Sequence, residues 1–454
     1  MTVKLEEMIV RLFICFLCFE IFMTEGRTLV GIDDGTPIVR SKGGAGRFNL
    51  ITGKPLLVHP GIKLEKNAPK RGSSGGTFNV MDYGARANGK SDDSQAFASA
   101  WKDACASTGK VIVFVPKGNY LMGPVKFLGP CEKVTSITLQ MQGTLLGSDL
   151  SNFGTSGDWV QFGWLDGLTL TGGGTFDGQG AKAWPFNKCP TKKNCQVLPA
   201  NLRFVNMNRT RVDGIKSVNS KFFHMILQGC SDFQGRRIRI TAPDESPNTD
   251  GIHIEESNDV TIAETVVGTG DDCISIGQGN TGITLSGITC GPGHGISLGR
   301  YPDEADVKGL IVKDSTLTGT MNGVRIKTWE NSPAATTASN MTFQNIVMKN
   351  VGNPIIIDQT YCPYVSCSSQ SPSRVKISDI SFKNIRGTTT SPVAVTLDCS
   401  KGIPCQGINL ENVQLTLVDQ KTSLRGKKPS ATAFCQNVKA KYSGPQFPPP
   451  CNSQ

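Results

Sequence analysis

The sequence predicts an all-β protein, a solenoid of stacked β coils whose N-terminal end is closed by one helix. Three observations carry this expectation. First, DGIHI at Asp250, DCISI at Asp272 and HGISL at His294 repeat one pattern, a polar residue leading into a strand with alternating apolar positions, at a constant interval of 22 residues. Second, Asn258 and Asn280 keep the same interval, and each precedes an apolar strand, VTIAETVV or ITLSGIT. Repeats of this length with period-two strands are what stacked β coils produce. Third, 51 glycines and a charged fraction of only 19% suit many tight turns between short strands. Equivalent residues on successive coils lie about 4.8 Å apart, so Asp250, Asp272 and His294 should form one column with Asp271 beside it. A solenoid grows by adding coils, so the 454 residues read as one large domain rather than several.

The chain opens with Lys4 and Arg11, the apolar run LFICFLCFEIFM from Leu12, and small residues near Gly26. That run is too short for a membrane span and fits a signal peptide over residues 1–26. Residues 27–76, rich in Gly, Pro and Lys without periodicity, read as a flexible extension, which leaves 77–454 as the folded domain. Cysteine usage agrees with export. The close pairs Cys189/Cys195, Cys362/Cys367, Cys399/Cys405 and Cys435/Cys451 suggest local staples. Cys105/Cys131 and Cys273/Cys290 would complete six bridges and leave Cys230 free, though spacing alone leaves the connectivity open. Asn208 and Asn340 begin glycosylation sequons. A net charge of +10 points to acidic partners, and export excludes nucleic acid from them.

After the strand-like FNVMDYGA, Ser91 is a candidate N-cap for a helix with Ala96, Phe97, Ala100, Trp101 and Ala104 on one face. VIVFVPKG, SITLQMQGTLLG and LTLTGGGTFDGQG then read as strands closed by glycine, and WPFNKCPTKKNC as a loop thrown out from a coil. LRFVNMNRTRVDGI, FFHMILQGC and RIRITA continue the stack to the central repeats. NGVRIKTW, NPIIID, PVAVTLD and INLENVQLTLV follow, the last two as the final coils before a Pro-rich tail.

Asp250, Asp271 and Asp272 concentrate three carboxylates. Like charges so close push at least one pKa upward and supply a proton donor beside an ionised base, the requirement of glycoside hydrolysis. Three clustered aspartates equally suit calcium, and the residues alone leave both readings open. His294, between glycines in GPGHGIS, is expected on an exposed turn. Arg325 and Lys327, two apart on a strand, share a face and should continue the column by another coil. They serve either to grip an acidic sugar or to neutralise the aspartates.

The stretches SPNTDGIH, GTGDDC, GPGHGIS and RIK, in this order, resemble the four signature motifs of the polygalacturonases, family 28 glycoside hydrolases. The resemblance runs from about Thr77 to the C-terminus, FNVMDYGA included. It implies a right-handed parallel β-helix that hydrolyses α-1,4 bonds of de-esterified pectin with inversion. Asp271 would be the general acid, Asp250 and Asp272 would activate water, and His294 would support the acid. Arg325 and Lys327 would grip the galacturonate carboxylate, with Asn248 and Tyr361 also binding substrate. It further implies no metal or other cofactor, an acidic polysaccharide partner, a monomer, and secretion to the cell wall without membrane attachment once the signal is removed. The insert WPFNKCP and the run SVNSKFFH resemble the pollen-type, exo-acting branch. The long extension and the shortened turn in GHGISLGRY depart from the family pattern. The rival readings are a calcium-dependent pectate lyase and a pectin-binding wall protein with a degenerate site.

Overall fold

The computed structural model describes residues 74–154, 156–189, 195–299, 303–333, 335–362, 372–418 and 430–451. The expected signal peptide, residues 27–73 of the extension and the tip of the turn after Gly299 lie outside the described residues. Ser74–Asn79 is already a strand, paired in parallel with Thr108–Val115, so ordered structure starts ahead of Thr77.

The chain is a right-handed parallel β-helix, its described strands joined in parallel into one sheet of 21 strands and another of 11. One coil shows the plan: Ile252–Glu255 lies in the smaller sheet, Asn258–Ala263 and Val266–Gly268 lie in the larger, and Ile274–Ile276 returns to the smaller one coil on. Stacking places like upon like. Ile252, Ile274, Ile296, Val324, Ile355 and Val395 stand in register and are all buried. Phe162 stacks on Phe204 with ring centroids 5.0 Å apart, and Phe233 meets Phe204 edge to face at 5.2 Å. Apolar alternates thus fill the interior, while the opposite alternates of the smaller sheet face outward.

The corners explain part of the composition. Arg237, Glu264, Gly287, Asp314, Asn345, Asn384 and Asn412 follow in-register residues of successive coils and all have positive φ. The left-handed region favours Gly, Asn and Asp. Four of these side chains form a ladder, with Asn412 donating to Asn384 at 3.0 Å, Asn384 to Asn345 at 3.1 Å and Asn345 to Asp314 at 2.9 Å.

The helix spans Ser94–Cys105 and buries Ala96, Phe97, Ala100, Trp101 and Ala104 over the first coils. Trp101 lies 5.0 Å from the Phe127 ring, its indole N–H donates to Leu128 O at 3.1 Å, and Cys105 bonds Cys131. Ser91 is not its cap. It lies in the strand Asn88–Asp92, and Asp93 is the N-cap residue. The Asp93 carboxylate is instead taken by the Arg86 and Ala87 amides, while Asp92 accepts the Ser94 N–H at 2.8 Å.

A second correction concerns Asn258 and Asn280. Asn258 pairs with Thr281, so Asn280 stands one position earlier. The turn from Ile276 carries one residue more than the turn from Ile254, and Asn280 is buried there, donating to Ile254 O and Gly277 O. The C-terminal end also extends further than expected, since Thr432–Gln436 and Val438–Phe447 add strands past Cys405–Leu417 and absorb the start of the Pro-rich tail. Cys105–Cys131, Cys189–Cys195, Cys273–Cys290, Cys399–Cys405 and Cys435–Cys451 are bridged, and Cys230 is free and buried. Cys362 is bridged too, while Cys367 lies outside the described residues. No helix among the described residues is long and apolar enough to cross a membrane.

Candidate active site

Ile252, Ile274 and Ile296 pair in register, so Asp250, Asp272 and His294, each two residues ahead, occupy equivalent positions on successive coils. The expected column is present. Asp250 and Asp272 are 3% and 4% exposed, which puts two carboxylates at the floor of the outer face rather than in open solvent. Asp271 sits beside the column. Its Oδ1 lies 2.9 Å from His294 Nδ1 and accepts the Asp272 N–H at 2.8 Å, and its Oδ2 accepts Asn248 Nδ2 at 3.2 Å.

His294 is partly buried rather than exposed, because its flanking glycines press the turn onto neighbouring coils. A Cβ on Gly293, where φ is +141°, would come within 2.6 Å of Asp271 O, and one on Gly295 would meet Asn322 O. Only glycine admits both the backbone conformation and the approach.

Arg325 and Lys327 do not continue the column. That place belongs to Asn322, whose Nδ2 donates to His294 O at 3.2 Å, while Arg325 stands in register with Ser297 and Ser275. The 28 residues from His294 to Asn322 hide an unchanged register, since the extra length lies in the excursion and not in the strand. Both cations nevertheless reach back to Asp272. Arg325 Nη2 lies 3.5 Å from Asp272 Oδ1 and Lys327 Nζ 3.6 Å from Oδ2. Tyr361 ends the strand Asn353–Tyr361, with Lys327 Nζ 5.2 Å from its ring centroid.

Asp271 is not the raised carboxyl that the clustering of three aspartates suggests for the acid. Burial pushes the Asp271 carboxyl up, but the His294 hydrogen bond and charge, the Asp272 amide and Lys327 outweigh it and hold Asp271 below its ordinary range. His294 is raised, chiefly by its bond to Asp271 and against its own burial. An expectation built on three carboxylates omitted the cations packed against them. Both shifts favour the ion pair, a charged imidazole beside an ionised carboxylate.

Asp271, Asp272 and His294 bring ligand atoms within 4.8 Å of one another, a span that a cation accepts. Calcium prefers oxygen ligands, and two fixed cations already neutralise Asp272, so this donor set fits an ion-pair network better than a calcium site.

Three contributors escaped the sequence reading. Ser297 donates to Asp272 Oδ1 at 2.7 Å and accepts from Arg325 Nε at 3.1 Å. Its signal was available, as an outward polar position three residues after His294. His253 bonds Ser275 at 2.8 Å on the same outward row. Asn187, from the thrown-out loop, donates to Asn248 Oδ1 at 3.0 Å, and nothing in the sequence links residues so far apart.

A parallel β-helix with paired carboxylates and cations on the outer face of one sheet is the framework of a glycoside hydrolase. Residues 105–443 match the glycosyl hydrolases family 28, and the chain belongs to that family. It is 50% identical over 380 residues to an exopolygalacturonase of Platanus acerifolia, covering 83% of this chain and 98% of that one. It is 44% identical over 386 residues to an exopolygalacturonase of Zea mays, covering 84% and 92%. Among solved structures, a polygalacturonase from Erwinia carotovora superposes with a TM-score of 0.63 at 25% identity, covering 82% of this chain and 98% of that one.

Proposed function

We propose that the protein is a secreted, exo-acting polygalacturonase that hydrolyses α-1,4 bonds of de-esterified pectin with inversion, releasing single galacturonates from the non-reducing end in the cell wall. The observation that carries this reading is the Asp271–His294 pair beside Asp272, with Arg325 and Lys327 against the same carboxylate. The relatives named exopolygalacturonase support the substrate and the mode of attack.

Asp271 protonates the leaving glycosidic oxygen as the C–O bond breaks. Asp250 and Asp272 take a proton from the water that attacks the anomeric carbon on the opposite face. The uronate carboxylate is held by Arg325 and Lys327, with Asn248 and Tyr361 orienting the sugar. Its negative charge offsets the pull of Lys327 on Asp271 and so raises the acid's affinity for the proton it delivers.

The loop after Asp177 supports the exo mode of attack. Its turns Gly180–Lys182 and Trp184–Phe186 lead to the Cys189–Cys195 bridge, and Ala183 and Cys189 pack on Leu198, Ala200, Phe222, Phe223 and Ile226. Asn187 ties this loop to Asn248, so it walls the N-terminal side of the aspartate column, where a wall would limit the groove to the single sugar that is released. Export rests on the leader, the disulfides and the exposed sequon residues Asn208 and Asn340.

Asp271→Asn should abolish release of reducing ends from polygalacturonate with the fold intact, and retained activity would remove Asp271 from the mechanism. Monomer as sole product is the exo result, and mixed oligomers from the wild type would overturn it. Unsaturated products lost on chelation would identify a calcium-dependent lyase instead, and retention of pectin without sugar release a binding protein.

A further inference from the structure

An asparagine side chain has two nearly isosteric ends, a carbonyl that accepts and an NH2 that donates, and its partners decide which way it points. Asn248 faces Asp271 Oδ2 at 3.2 Å on one side and Asn187 at 3.0 Å on the other. Asn187, only 9% exposed, has no such ambiguity. Its Oδ1 accepts the Cys189 backbone N–H at 2.9 Å, and its Nδ2 donates to the Pro247 carbonyl at 3.3 Å. A backbone N–H only donates and a carbonyl only accepts, so both ends of Asn187 are assigned by groups that cannot change role. The end it turns toward Asn248 is its NH2. Asn248 must then present Oδ1 to Asn187, and its own NH2 is left for Asp271.

This direction matters when Asp271 carries its proton. With Asp271 ionised, the aspartate itself demands a donor and Asn248 would face it correctly unaided. Once Asp271 is protonated for catalysis, a flipped Asn248 would turn its carbonyl to the acid and capture the O–H that belongs to the leaving group.

We propose that Asn187 is a positioning residue: through Asn248 it forbids that flip, so that the proton of Asp271 is offered to the glycosidic oxygen. The reference point for the relay is the backbone of Cys189, held by its bridge to Cys195. The loop that walls the site thereby also orients its acid. The proposal rests on Asp271 acting as that acid.

The test compares Asn187→Ala with Asn187→Asp in the full-length enzyme, measuring kcat, KM and the pH profile of kcat/KM on polygalacturonate. Alanine frees Asn248 to choose. Aspartate, nearly isosteric but lacking the donor, turns the Asn248 NH2 toward itself and its carbonyl toward Asp271. The expected order is therefore the reverse of a packing effect: kcat falls about 3- to 10-fold in Asn187→Ala and about 10- to 100-fold in Asn187→Asp, with KM little changed. In both, the captured proton stabilises protonated Asp271, so the basic limb of kcat/KM moves to higher pH. The charged groups around the pair are Asp272, His294, Lys327 and Arg325, with Asp250 one coil away; neither variant removes any of them, but Asn187→Asp adds a carboxylate that itself raises Asp271, so the limb shift is read in Asn187→Ala, which adds no charge. An Asn187→Asp enzyme as active as Asn187→Ala, a loss confined to KM, or an unmoved basic limb would each overturn the proposal. If Asn187→Asp does not fold, the limb shift in Asn187→Ala decides alone. An active Asp271→Asn enzyme would instead remove the acid assignment itself.

Discussion

Replacing His294 by alanine removes the 2.9 Å bond to Asp271, and the cost should depend on pH in a defined way. Two unit charges at that separation attract by about 6 kcal/mol at an effective dielectric near 20. His294 is one-third exposed and Asp271 one-fifth, so solvent screening and desolvation leave roughly 1–2 kcal/mol net, in the range for a hydrogen bond to a charged group. His294 has a raised pKa, so its contribution is complete below the unfolded value of about 6.5 and is lost as pH climbs through the higher folded value. Asp271 is depressed, so its contribution is complete above the unfolded value of about 3.9 and is lost as pH falls through the lower folded value. The pair is fully effective between those limits. Urea unfolding of wild type and His294→Ala at about pH 5 and about pH 8.5 should therefore show the larger difference at pH 5, by about 1 kcal/mol, because a neutral imidazole keeps only an ordinary hydrogen bond. Comparing the two proteins cancels every other titrating group. A cost that is constant, or larger at pH 8.5, would refute the charged pair.

Arg325→Ala should raise KM for polygalacturonate about 10- to 100-fold, the cost of one charge-assisted contact. It should also lower stability, because Asp272 stays buried with Lys327 as its remaining cation. Isothermal titration with galacturonate separates lost binding from lost turnover. Cys230 is buried, with its thiol pushed up to about 11 by burial and its sulfur 3.5 Å from Phe204 O. It should resist a thiol reagent at pH 8 in the native protein and react only in denaturant, so rapid native labelling would contradict the packing.

The helix face from Ala96 to Ala104 was legible because burying one stripe of a helix leaves a 3.6-residue period that no tertiary detail disturbs. Its cap was not legible, since Ser91 and Asp93 are equally plausible and the choice fell to the Arg86 and Ala87 amides that claim Asp93. Counting residues worked for Asp250, Asp272 and His294 because the path from coil to coil has constant length there. It failed for Asn280, where one extra turn residue displaced the register, and for Arg325, where a long excursion concealed it.

By itself the sequence determined the stacked architecture, the column of Asp250, Asp272 and His294, and the acidity of the site, because each is written in a local period that the ladder of coils repeats. Only the tertiary structure decided where the charges meet: that Arg325 and Lys327 reach back to Asp272, that His294 and Asp271 shift each other toward the ion pair, and that Asn187 donates to Asn248. Those outcomes depend on side chains meeting across coils and loops at about 3 Å, and no spacing along the chain encodes a distance of that kind.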